Sequence, residues 1–104
     1  MLGRYSPEIT GRARKVRVLV MDIDGVLTDG RIIYGNYGDE LKNFDVNDGL
    51  GIMLVRRAGL KTVILTAKAS RVVNKRAREL KVDKLYHNYH YKLKALEKIK
   101  KRLL

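Results

Sequence analysis

Residues 16–21, Val-Arg-Val-Leu-Val-Met, form an apolar run that two carboxylates, Asp22 and Asp24, and a turn-forming Gly25 bring to an abrupt stop. Apart from Arg17 the run offers no polar face, so it reads as a strand covered on both sides, as in a parallel sheet flanked by helices. Two further strands are predicted at 61–66, where Val63, Ile64 and Leu65 are consecutive, and at 84–87. Helical spacing separates and follows them. Leu50, Met53 and Leu54 share one face of a helix that Asn47 or Asp48 can cap and Gly59 closes. Val72, Val73, Ala77 and Leu80 do so in 70–80, and Leu93, Leu96, Ile99 or Lys100, and Leu103 in 91–104. The order β-α-β-α-β-α requires parallel strands joined by right-handed helical crossovers. Residues 31–44, in which Gly35-Asn36-Tyr37-Gly38 separates two short runs, read as a β-hairpin. The predicted fold is therefore α/β: a partial Rossmann-like parallel sheet with helices on both faces and a β-hairpin inserted after strand one. Residues 1–14, with the only proline, Pro7, read as a flexible basic lead-in to a domain over 15–104.

At 104 residues the chain can make one domain, burying somewhat under ~70% of its unfolded surface. Its apolar fraction of 45% argues against wholesale disorder. Without cysteine there is no disulfide frame and no thiolate chemistry, which fits a reducing compartment. The run 16–21 is too short for a signal-peptide core or a bilayer span, and Asp22 and Asp24 end the match to a leader that Arg12, Arg14 and Lys15 begin. A cytoplasmic protein with no membrane partner is expected. The net charge of +12 attracts polyanions, but no nucleic-acid-binding motif accompanies it, and it reads as a solvated basic surface.

Ligands of open parallel sheets bind beyond the carboxyl ends of the strands. Strand one delivers Asp22 and Asp24 there, strand two Thr66, and the helix after strand three Lys92. Two acids, a hydroxyl and an ammonium near helix N-termini suit a phosphate ester. Amides and a cation hold the oxygens, one carboxylate attacks phosphorus and the other serves the leaving oxygen. His87 and His90 have a spacing that could suit a transition metal, but with no third ligand in sight they read as loop histidines beside Tyr86, Tyr89 and Tyr91.

The stretch Asp-Ile-Asp-Gly-Val-Leu-Thr-Asp-Gly, the strand-ending Thr66 and the later Lys92 resemble the haloacid dehalogenase (HAD) superfamily of phosphohydrolases. The hairpin followed by Phe-Asp-Val-Asn-Asp-Gly-Leu-Gly-Ile narrows the likeness. It points to the capless subgroup that contains the 3-deoxy-D-manno-octulosonate 8-phosphate (KDO 8-phosphate) phosphatases of lipopolysaccharide sugar synthesis. The resemblance implies that Asp22 is the nucleophile, forming an aspartyl-phosphate and ligating Mg²⁺. It makes Asp24 the general acid and base, contacting substrate and giving the metal its backbone carbonyl. Thr66 and Lys92 would hold the phosphoryl oxygens, with Lys92 also binding substrate. Asp45, Val46, Asn47, Asp48 and Gly49 would contact a phosphorylated sugar acid, as would Met53, Lys68 and Arg76. The hairpin would be a flap that closes a neighbouring subunit's pocket in a homotetramer.

Two departures from the family pattern qualify this. Ala67 and Lys68 stand where relatives carry Gly-Arg, and lysine lacks the planar fork that grips a carboxylate bidentately. Family members also continue into a further strand ending in Gly-Asp-Asp and a later Asp, whereas the last acid here is Glu97. The resemblance thus covers the N-terminal part of the domain. It leaves the first strand with an open edge, from which association is expected. Two other readings follow: a noncatalytic oligomerisation module, as in fusions to sugar-nucleotide synthetases, or a nucleic-acid-binding protein using its basic helices.

Overall fold

A computed structural model of the chain describes residues 4–104. Three strands, β1 (Val18–Met21), β4 (Lys61–Leu65) and β5 (Lys84–Tyr86), form a parallel sheet in the order β1-β4-β5. Val18 lies opposite Lys61 and Met21 opposite Ile64. Because side chains alternate across a strand, β1 feeds two cores. Leu19 and Met21 join Ile64 under helices α2 (Val46–Arg57) and α3 (Arg71–Leu80), which contribute Ile52, Val73, Ala77 and Leu80. Val18 and Val20 join Val63, Leu65 and Tyr86 under α4 (Lys92–Leu103), which contributes Ala95 and Ile99. The predicted parallel sheet with helices on both faces is what the chain forms.

One polar residue sits inside β4. Thr62 is fully buried and is satisfied by Asp83, whose carboxylate accepts from the Thr62 N–H at 2.8 Å and the hydroxyl at 3.3 Å. The Asp83 N–H returns a bond to the Thr62 carbonyl at 2.8 Å. This exchange sets where β5 begins beside β4.

Strands β2 (Ile33–Tyr34) and β3 (Glu40–Leu41) form a separate antiparallel pair, Ile33 opposite Leu41 and Tyr34 opposite Glu40. Their reversal uses a positive φ at Gly38 and a hydrogen bond from the Gly35 N–H to the Asp39 carbonyl. A single bridge between Thr28 and Phe44 ties the hairpin's base to the loop after β1.

Three details differ from the sequence reading. Where a loose lead-in is expected, Pro7–Arg14 forms helix α1. The Ser6 hydroxyl caps it by accepting from the Ile9 N–H, Pro7 opens it, and Glu8 pairs with Arg12 at 3.1 Å. Those are helix-start signals that polar composition masked. Helix α1 buries no residue. Second, α2 is capped by Asp45, not by Asn47 or Asp48; its carboxylate accepts from the Asn47 N–H at 2.7 Å. Third, the apolar faces read from the spacing are only partly inward. Ile52 is buried while Leu50 and Leu54 are more than half exposed, and α4 buries Ala95 and Ile99 while leaving Leu93 exposed. No helix among the described residues is long and apolar enough to cross a membrane.

Ile52→Ala is expected to cost about 2–4 kcal/mol, the range for a truncated core side chain, and Leu54→Gln less than about 0.5 kcal/mol. Urea unfolding of the two variants checks the assignment; equal losses would return Leu54 to the core.

Candidate active site

Asp22 follows the last residue of β1 and Thr66 the last of β4, and the register of the two strands carries both to the same rim of the sheet. Thr66 is 2% exposed, and its backbone is fastened to the connection between β5 and α4. Its N–H donates to the Tyr86 carbonyl at 2.9 Å, and its carbonyl accepts from the Tyr89 N–H at 3.3 Å. That connection ends at Lys92, the first residue of α4, whose Nζ donates to Asp22 Oδ2 at 2.8 Å. The other Asp22 oxygen accepts from the Ile23 N–H at 2.7 Å. The carboxylate is thereby fixed by a cation and an amide while staying partly open to solvent.

The chain then turns sharply. The Ile23 carbonyl accepts from the N–H groups of Val26, Leu27 and Thr28, and Leu27 anchors the loop in the core. The Thr28 hydroxyl takes the N–H groups of Gly25 and Gly30, each at 3.2 Å. Gly25 and Gly30 have φ of +77° and +82°, and a Cβ on Gly30 would stand 3.7 Å from the Gly25 Cα. That spacing is ordinary van der Waals contact; glycine is favoured at both positions because L side chains rarely adopt a positive φ.

Asp24 points to a partner outside the set of residues singled out from the sequence. Lys42, just past β3, has a side chain only 6% exposed and donates to Asp24 Oδ1 at 2.6 Å and to Glu40 Oε1 at 2.7 Å. Burial pulls the Lys42 pKa down, but the hydrogen bonds to Asp24 and Glu40 outweigh it and the net shift is upward. The available signal was the spacing Glu40-Leu41-Lys42, which puts acid and base on one face of a strand. It is faint in a chain with 23 lysines and arginines. Asp29 is a second addition. Its carboxyl is held below the ordinary value by the Arg31 N–H and by the Asn43 amide.

The other candidates fall into separate places. Arg76 donates to the Asp45 carbonyl at 3.0 Å and lies 5.3 Å from the centre of the Phe44 ring, so it braces the start of α2. Gly49 lies against it: a Cβ there would meet the Arg76 guanidinium at 3.5 Å. Asp45, Val46 and Asp48 line a cleft of about 580 Å³ shared with Thr28 and Asp29. Asn47 and Lys68 are exposed, and Met53 is partly buried farther along α2. Among the described residues, no hydrogen bond or ion pair joins these groups to Asp22 or Asp24.

Among the described residues, no group of three or more histidine, cysteine or acidic side chains could hold a metal ion. The Asp22 carboxylate and the Asp24 backbone carbonyl are nonetheless hard oxygen donors, and Mg²⁺ is commonly held by one or two protein carboxylates with waters and substrate phosphate completing its octahedron.

No family model matches the chain. It is 37% identical over 101 residues to the 3-deoxy-D-manno-octulosonate 8-phosphate phosphatase KdsC of Salmonella typhimurium, covering 97% of this chain and 54% of that one. Its fold matches the crystal structure of the 3-deoxy-D-manno-octulosonate 8-phosphate phosphatase from Moraxella catarrhalis in complex with magnesium, phosphate and KDO. That match has a TM-score of 0.89 at 37% identity and covers 95% of this chain and 57% of that one. A structure from Legionella pneumophila, described as a HAD superfamily (subfamily III A) hydrolase, matches with a TM-score of 0.88 at 38% identity over 92% of this chain and 53% of that one. The chain belongs to the haloacid dehalogenase superfamily. It spans about half the length of the curated relatives it matches.

Lys42 ties the hairpin to Asp24, the second of the strand-end acids. Lys42→Met is expected to destabilise the chain at neutral pH by about 1–2 kcal/mol, near the low end for charged hydrogen bonds because Asp24 is half exposed. The Lys42 pKa is raised on folding. Its contribution is therefore fully present below the ordinary lysine value of 10.5 and is lost as pH rises through the higher folded-state value. Urea unfolding of wild type and Lys42→Met at neutral and strongly alkaline pH should show the gap closing.

Proposed function

We propose that the chain carries the nucleophilic half of a Mg²⁺-dependent phosphomonoesterase acting on a phosphorylated sugar acid such as KDO 8-phosphate. The observation that carries this is the contact of Lys92 with Asp22 at the mouth of β1, on the rim where Thr66 ends β4. The relatives' names supply the substrate class, and the magnesium, phosphate and KDO bound to the Moraxella protein supply the cofactor and the chemistry.

In this reading an Asp22 oxygen attacks phosphorus in line with the leaving alcohol, forming an aspartyl-phosphate. Lys92 moves from the carboxylate it holds to the phosphoryl oxygens, and Thr66 supports the same oxygens. Asp24 protonates the leaving alcohol, then takes a proton from the water that hydrolyses the acyl phosphate. In its contact with Lys42, Asp24 is an acceptor, the form required for the second step; the first step requires it to carry a proton and to loosen from Lys42. Mg²⁺, held by the Asp22 carboxylate and the Asp24 carbonyl, would offset the repulsion between Asp22 and a phosphate dianion.

The cleft beside Asp45, Val46 and Asp48 is the place for the sugar acid. The family resemblance adds Asn47, Gly49, Met53, Lys68 and Arg76 as substrate contacts, although none of them lines this cleft. The same reading includes a cytoplasmic setting and a homotetramer in which the hairpin covers a neighbour's pocket. Because no cluster of three ligands gathers among the described residues, a noncatalytic module is the competing reading.

Phosphate release from an aryl phosphate, with and without Mg²⁺, separates the two. A Mg²⁺-dependent signal that falls more than tenfold in Asp22→Asn, a loss above ~1.4 kcal/mol of barrier stabilisation, is expected. Equal background signals from both proteins would favour the noncatalytic module.

A further inference from the structure

Helix α3 carries a row of cations that find no acidic partner among the described residues. Arg71, Lys75 and Arg78 are exposed and, spaced four and three residues apart, share the face opposite buried Val73, Ala77 and Leu80. The ion pairs of the described residues involve none of the three. Glu79, the single acid of the helix, is exposed beside the row and stays unpaired with it. Like charges at these spacings weaken a helix, and Arg71 opposes the dipole from a first turn that holds no acid. Helix α1 is arranged the other way, with Glu8 in its first turn and paired to Arg12. The row therefore works against the stability of α3, and a local rule broken in this way points to a use.

The positive surface continues toward β5. Asn74 and Arg78 line a cavity of about 270 Å³ together with Lys84, the first residue of that strand. Asp83 also lines it, but its carboxylate is taken by the Thr62 N–H and hydroxyl. This surface lies at the β5 edge of the sheet, the edge opposite β1. Its apolar content is low: between Lys61 and His90 no large hydrophobic side chain is exposed.

We infer that the outer face of α3, with Lys84, binds the phosphate backbone of a double-stranded nucleic acid. About one helical turn, ~5 Å along the axis, separates neighbouring cations of the row, so it meets a line of anions rather than a single one. A protein partner or a membrane surface would call for apolar anchors, which this face lacks. A single strand would call for exposed aromatic rings to stack its bases, and these are missing from the same face. What the face offers is contact with phosphates, independent of base sequence. The net charge of +12 adds long-range attraction for such a polyanion. The inference stands on α3 and β5 alone and holds whether or not the chain is a phosphatase.

The test uses the full chain and a fluorescent DNA duplex of mixed sequence. Anisotropy should show binding that weakens with salt at a log–log slope of about −3.6, the value for four phosphate contacts. The triple variant Arg71→Gln, Lys75→Gln, Arg78→Gln alters exposed side chains only. It should weaken binding by more than about tenfold and make the slope shallower by about 2.7. The same charge removed from exposed positions of α4, in Lys94→Gln, Lys101→Gln, Arg102→Gln, should change binding by less than about threefold. In the unaltered chain, amide signals of residues 71–84 should shift on adding duplex while those of 46–57 stay in place. Equal losses from the two triple variants, or shifts spread evenly over the chain, would reduce the effect to general charge and overturn the inference. So would salt-insensitive or absent binding. Equal affinity for a single strand, or for vesicles of phosphatidylserine and phosphatidylcholine, would overturn it by giving the face a different occupant.

Discussion

The parallel register of β1 on β4 governs both the site and the exposed surface. With Met21 opposite Ile64, the strands end level with each other, so Asp22 and Thr66 emerge side by side. A slip of one residue would swap the two faces of β1, sending Leu19 and Met21 toward α4 and Val18 and Val20 toward α2 and α3. Both cores resist that change, because the large side chains Ile23 and Leu27 that follow β1 are already committed to the α2–α3 side. The ladder even extends past the strands: the Lys61 N–H reaches the Arg17 carbonyl at 2.9 Å, and the Thr66 N–H reaches the Tyr86 carbonyl at the other end. The contact between Asp22 and Lys92 therefore does not rely on a long, independently ordered loop. It follows from three strands laid in register and a short connection pinned at Thr66.

What the sequence made legible was the part controlled by backbone periodicity. Consecutive Val63, Ile64 and Leu65 could only be a strand buried on both faces, and all are 5% exposed or less. Alternation of such strands with helical segments left little freedom in topology, and strand ends marked the candidate acids, Thr66 and Lys92. Helix faces were less legible, because spacing identifies a stripe without saying which neighbour covers it. Moving the cap of α2 from Asn47 or Asp48 to Asp45 does not change which residues share a face. What changed the outcome is that Ile52 packs into the core with Ile64 and the buried face of α3, while Leu50 and Leu54 stay more than half exposed. The pairing of Lys42 with Asp24 was illegible for another reason. It joins the residue just after a two-residue strand to a loop eighteen positions away, and no local pattern encodes such a contact.

Electrostatics explains why the two acids at the strand end are tolerated, and why they are set up unequally. Asp22 is held by the partly exposed Lys92 and by an amide, contacts that a solvated cation can leave at modest cost. Asp24 is held by Lys42, whose ammonium is nearly enclosed and shared with Glu40. Removing a buried cation from its acids is far more expensive than displacing an exposed one. The geometry thus separates a carboxylate whose partner is free to turn to an incoming anion from one whose partner stays with the protein. In the proposed reaction that asymmetry suits Asp22 as the nucleophile, whereas Asp24 would have to part from Lys42 before it could carry a proton. For the proposed phosphate-ester substrate, the strongly basic balance of the chain would add a long-range attraction to these local contacts.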